Sequence, residues 1–246
     1  MKKFLFVTAT RRGEDERANI SIIKCLDKIK VCNEYSINTK IFYNNSLGLS
    51  EVYNSVIDEK TNDADFIVFV HDDLYINDCF VFDKLIEAEK HGDIIGLCGG
   101  KAWIPYGDVS NPMIWTEASK RHGLSGFMCH SMDRQICNIE HKLYYNNRSL
   151  FSTNYGNSPA QVLTIDGCCI CFTKKAIKKG VRFDKKFKFH FYDIDMCFDA
   201  FTKKATIITY PILATHESIG LISNKDDYIA SQKLFLEKWF EAHQST

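Results

Sequence analysis

Two acidic clusters far apart in the sequence, His71-Asp72-Asp73 and Asp193-Ile194-Asp195, together with a late His216-Glu217, are the residues best suited to chemistry. The first cluster ends the apolar run Phe66-Ile67-Val68-Phe69-Val70. A buried strand has no use for adjacent carboxylates at its tip, because desolvated anions are costly unless a cation or hydrogen-bond donors meet them. Ligands of open α/β sheets sit at the carboxyl ends of the strands, where this pair would lie. The competing reading is that Asp72 and Asp73 cap the turn or the next helix. Asp193 and Asp195 carry the same ambiguity, since Asp near a helix start is stabilised by the free amides and the dipole. Converging in space, carboxylates and a histidine from separate strand ends would satisfy a divalent cation.

Other motifs say less by themselves. Cys168-Cys169-Ile170-Cys171 contains a C-x-x-C spacing, but within an apolar strand its side chains alternate between faces and read as packing. Asn44-Asn45-Ser46-Leu47-Gly48 offers amides and a glycine where backbone could approach a ligand, or an ordinary turn. Arg11 and Arg12 suit a phosphate or plain solvation.

Elements able to position these residues are visible in the periodicity. Strands are expected near 3–9, 37–43, 65–71 and 94–99, alternating with helical spacings at Ala18, Ile22, Ile23, Leu26, Ile29, then Leu49, Val52, Tyr53, Val56, and a third helix near 79–90. That alternation predicts a mostly parallel sheet built from βαβ units. From about Lys101 to Gln161 the periodicity fades into Gly, Pro, Asn, Ser and aromatics, which suggests a long irregular lid or binding loop. An apolar strand from Val162, a short helix, a segment from Phe191 to Phe201, short strands near 206–214 and a closing amphipathic helix follow.

Composition limits the function classes. The 246 residues can form one large α/β domain, and 45% hydrophobic content supplies a sizeable core. Lys plus Arg and Asp plus Glu both total 31, so no basic field favours nucleic acid. Ten cysteines lie mostly in apolar runs, which points to reduced thiols and a cytoplasmic setting. No apolar run reaches the ~18 residues of a membrane span. Lysines between Lys174 and Lys188 could touch an anionic membrane face, although charge runs are commonly solvated.

Taken in order, the pieces resemble the inverting, family-2-like glycosyltransferases of the GT-A (nucleotide-diphospho-sugar transferase) fold. The first strand ends at Thr8-Ala9-Thr10; Asn44-Asn45 through Asn54 is similar to that group's second strand and following helix; His71-Asp72-Asp73 occupies the place of its D-x-D element. Ile165-Asp166-Gly167-Cys168-Cys169 and Val181-Arg182-Phe183-Asp184-Lys185-Lys186-Phe187 resemble its acceptor-side strand and G-x-F-D-x-x-F segment, and Tyr192-Asp193-Ile194-Asp195-Met196 its E-D-x-D-L motif. Two departures stand out: His71 replaces the first carboxylate of D-x-D, and Tyr192 replaces the usual Glu.

The resemblance implies an α/β GT-A domain over 1–246, with a Rossmann-like, mostly parallel sheet flanked by helices. Residues 1–100 would form the nucleotide-sugar half, 101–161 an irregular insertion on the acceptor side, and 162–246 the acceptor-side and catalytic half. It implies Asp193 as general base, and Asp73 and His216 as ligands of Mn²⁺ or Mg²⁺. Thr8, Thr10, Arg11, Asn44, Asn45, Gly48, Asn54, His71, Asp72 and Asp73 would hold a donor, most simply a UDP-sugar. Trp103, Gly167, Tyr192 and Asp195 would face a glycan or glycolipid acceptor. The expected reaction is transfer of a sugar to an acceptor hydroxyl with inversion, in surface glycan synthesis at the cytoplasmic side or inner membrane face. Two rivals are a sugar-phosphate nucleotidyltransferase, disfavoured by the single glycine in Thr8-Ala9-Thr10-Arg11-Arg12-Gly13, and a catalytically silent nucleotide- or carbohydrate-binding module.

Overall fold

The computed structural model describes residues 1–29, 34–59, 63–102, 123–133, 143–145, 148–218 and 225–241. Strands β1 (Lys3–Ala9), β2 (Ser36–Phe42) and β3 (Phe66–Val70) pair in parallel, in the order β2-β1-β3. Between them run helices α1 (Ser21–Ile29) and α2 (Leu49–Ile57). Every residue of β3 is buried, as expected for a strand covered on both faces. Next come β4 (Leu74–Ile76), α3 (Val81–Ala88), β5 (Ile94–Gly96) and β6 (Cys98–Gly100). The single strand expected near 94–99 is thus two, broken at Leu97, and they belong to different sheets.

The stretch read as an irregular insertion also carries regular structure. It contains β7 (Leu124–Asp133), β8 (Leu143–Tyr145) and β9 (Arg148–Gly156), with β7 and β9 paired antiparallel. Alternation is weak there because the ribbon carries Ser, Asn, Gly and Thr where a strand with one buried face would carry apolar residues. Trp103, Tyr106 and Trp115 lie outside the described residues.

The remaining elements are β10 (Ala160–Gln161), β11 (Thr164–Ile165), β12 (Cys169–Thr173), α4 (Lys174–Lys178), α5 (Tyr192–Thr202), β13 (Ile207–Thr209), β14 (Ala214–His216) and α6 (Lys225–Leu236). The main sheet has the order β10-β13-β5-β12-β3-β1-β2. Three of its six pairings are parallel and three antiparallel, because β12 runs against both β3 and β5, and β10 against β13. The class is α/β as expected, but the sheet is mixed. Sequence periodicity reports burial and carries no strand direction, which is why the reversal of β12 was invisible to it.

One face of this sheet packs Leu5 and Val7 with α2, α5 and α6; the other packs Phe4 and Phe6 with α1 and α3. The second sheet, β11-β6-β7-β14-β4, stands at the carboxyl ends of the parallel strands, since β4 continues directly from the β3 tip.

Candidate active site

Strand register brings the two distant clusters together. β12 pairs Cys169 with Val70, and the His71 amide donates to the Cys168 carbonyl at 3.0 Å. The Asp166-Gly167 turn that opens β12 therefore lies beside the tip of β3. On the other side β14 pairs His216 with Leu74, and the Glu217 amide donates to the Asp73 carbonyl at 2.9 Å.

His71, Asp73 and His216 each offer a ligand atom within 4.8 Å of the others'. His216 Nε2 and Asp73 Oδ1 approach to 3.2 Å, yet neither buried atom makes a hydrogen bond of acceptable geometry. Burial would push the Asp73 carboxyl up, but His216 and His71 hold it down at about 2. Desolvation works against a charged His216, and Asp73 nevertheless raises its pKa. Two opposed, unpartnered donor atoms beside a second imidazole fit a divalent cation placed between them. His71 belongs to this group, whereas the family resemblance implies it as a donor-binding residue. Its place in the D-x-D position was the available signal.

His71 Nε2 lies 2.9 Å from the Tyr192 hydroxyl, which donates to the Gly167 carbonyl at 2.7 Å. Burial keeps the Tyr192 phenol protonated far above its ordinary range. Beside it Asp193 accepts from the Gly167 amide at 2.9 Å and from the Ile194 amide at 2.9 Å. Its carboxyl is pushed up to about 7, by desolvation first and by the charge of Asp166 second. Phe191, just before α5, adopts φ 65°, a region costly for a bulky residue. Its ring is held against Tyr228 and Phe235, and this turn aims Tyr192 and Asp193 at the β12 opening. A Cβ on Gly167 would stand 2.4 Å from the Tyr192 hydroxyl oxygen, so the junction admits only glycine.

Of the expected donor residues, Thr10 and Asp72 join this centre: the Thr10 hydroxyl donates to Asp72 Oδ2 at 2.6 Å. Thr8 is buried at the end of β1 with an unpartnered hydroxyl, and Arg11 is exposed. The other expected donor residues make contacts within the protein. Asn54 spends its side chain on Phe183, donating to its carbonyl at 2.6 Å and accepting from its amide at 3.1 Å. The Asn45 side chain closes a local turn with Leu47 in both directions. Asn44 supplies that turn with φ 48°. What approaches Gly48 is the backbone of Lys188, whose Cα a Cβ would meet at 2.8 Å.

Asp195 is 0% exposed and is held by Lys238 Nζ at 2.7 Å and Trp239 Nε1 at 2.8 Å. These contacts tie the start of α5 to the closing segment of the chain. Within the lysine run, Lys174 pairs with Asp65, Lys179 with Asp93, and Lys175 donates to the Glu89 carbonyl.

Three residues outside the expected set also stand here: Asp166, whose charge acts on Asp193, His71 and His216; His130, which pairs in register with His216; and Phe189, 54% exposed with its ring centroid 6.2 Å from that of His71. A carboxylate immediately before a glycine between two short apolar runs was the visible sign of Asp166.

The profile of a family described as "Glycosyltransferase like family" matches residues 10–239. Among solved structures, A197 from STIV is similar, at 11% identity over 89% of this chain and 87% of that one, with TM-score 0.50. The catalytic domain of Drosophila beta1,4galactosyltransferase 7 in complex with xylobiose aligns at 7% identity over 85% and 65%, TM-score 0.45. S. aureus TarS 1-349 aligns at 14% identity over 87% and 60%, TM-score 0.47. The chain thus spans less than two thirds of each of these last two. No curated protein matches it by sequence.

Proposed function

This chain belongs to the glycosyltransferase-like family, and from that premise we propose that it transfers a sugar from a nucleotide-diphosphate donor, most simply a UDP-sugar, to an acceptor hydroxyl with inversion. One observation carries the reading: the His71, Asp73 and His216 group and the Asp193 carboxyl, with a pKa of about 7, are bridged through Tyr192 and Gly167. Asp193 takes the proton of the acceptor hydroxyl, a role worth ~10²–10⁴-fold. A base poised near neutrality is charged enough to accept a proton and basic enough to hold it. Thr10 orients Asp72, which is left to meet the donor's ribose. Phe189 offers an exposed ring on which a sugar can stack.

His71, Asp73 and His216 would hold Mn²⁺ or Mg²⁺, which supplies positive charge to the departing diphosphate. Two imidazoles and one carboxylate suit Mn²⁺ better, because Mg²⁺ prefers oxygen ligands. The absence of a helix long and apolar enough to cross a membrane among the described residues is compatible with an acceptor at a membrane face.

The test is UDP release from UDP-sugars by chelator-treated protein. Mn²⁺ should restore it, with Mg²⁺ less effective. Turnover indifferent to both ions would remove the metal from the proposal, and tight donor binding with no release would favour a silent binding module.

A further inference from the structure

Resting on that reading, we propose that Tyr192 is a positioning residue that fixes the tautomer of His71, so that Nδ1 is the ring atom offered to the cation. A phenol has one proton to give. The Tyr192 hydroxyl gives it to the buried Gly167 carbonyl at 2.7 Å. Its contact with His71 Nε2 at 2.9 Å must therefore use an oxygen lone pair, and Nε2 brings the proton. Turning the phenol proton towards Nε2 would strand the Gly167 carbonyl, and a buried acceptor without a partner is disfavoured.

A metal-bound imidazole commonly gives its other N–H to a fixed acceptor, which sets both tautomer and ring plane. Here the acceptor is the residue immediately before the proposed base. Gly167 holds that dipeptide at both ends: its carbonyl receives Tyr192, and its amide donates to Asp193 Oδ2 at 2.9 Å. A Cβ at this position would stand 2.4 Å from the hydroxyl oxygen, so glycine is what leaves room for the phenol here.

The tautomer is read first in metal-free wild-type protein. Long-range ¹H–¹⁵N spectra of the histidines, assigned against His71→Gln, should show the His71 proton on Nε2. In Tyr192→Phe that single-tautomer signature should disappear, and Mn²⁺ affinity measured by calorimetry should fall about 10–100-fold, the usual cost of losing an outer-shell partner. A proton on Nδ1 in the wild type, or unchanged Mn²⁺ affinity in a folded variant, overturns the inference. Should Tyr192→Phe not fold, the wild-type spectrum alone decides. Neither readout involves sugar transfer. The expected tautomer and affinity in a protein that releases no UDP would count against the transferase and leave the role of Tyr192 standing.

Discussion

Asp193 joins two properties that pull in opposite directions. Its folded pKa of about 7 lies above the ordinary 3.8, so its contribution favours the folded state below the ordinary value and is lost as pH rises through about 7. The proposed role as base requires the opposite, deprotonated form. kcat should therefore fall as pH is lowered through about 7, which a pH–rate profile at saturating donor would measure. Asp193→Asn should lose about 10²–10⁴-fold in turnover while melting no lower than wild type at pH 8, because a desolvated anion has been removed. A matched drop in melting temperature would assign the residue to architecture. At this scale the sequence makes Asp73, Asp193 and His216 conspicuous as candidates, since carboxylates and imidazoles at strand and helix ends stand out. It does not tell that Asn54 bonds the Phe183 backbone, because an amide looks the same there as against a ligand.

Elements place these side chains through register, and two junctions bear most of that task. At the β12 opening, Gly167→Ala would set a methyl against the Tyr192 hydroxyl, and overpacking of this kind costs about 1–3 kcal/mol. Denaturant unfolding should show that loss together with collapse of turnover; a variant of wild-type stability and rate would mean the turn relaxes freely. Behind α5, Lys238 joins Asp184 and the fully buried Asp195 at 2.8 and 2.7 Å. Lys238→Met leaves Asp195 to Trp239 alone and should cost about 2–3 kcal/mol, measured by the same unfolding titration. The positions of β1, β3 and α2 were readable because apolar periodicity marks them. The reversal of β12 and the β7–β9 ribbon were not, because direction and partner choice are decided by contacts far away in sequence.

Across the whole molecule, the α/β class expected from the sequence holds in a mixed architecture with its candidate site where the two sheets meet, and the glycosyltransferase-like family matches over residues 10–239. Mn²⁺ and UDP together at about 100 times their dissociation constant should add about 2.7 kcal/mol, raising the melting temperature by roughly 5–10 °C at this size; no shift would exclude binding at that affinity. The tie between Asp195 and the Lys238-Trp239 pair also has a meaning in time. Synthesis delivers β1 and β3 early, but the support beneath the proposed base arrives only when residues 238 and 239 leave the ribosome. A nascent chain can thus hold its first strands long before Asp195 gains these partners, and that support is complete only once translation has run at least that far.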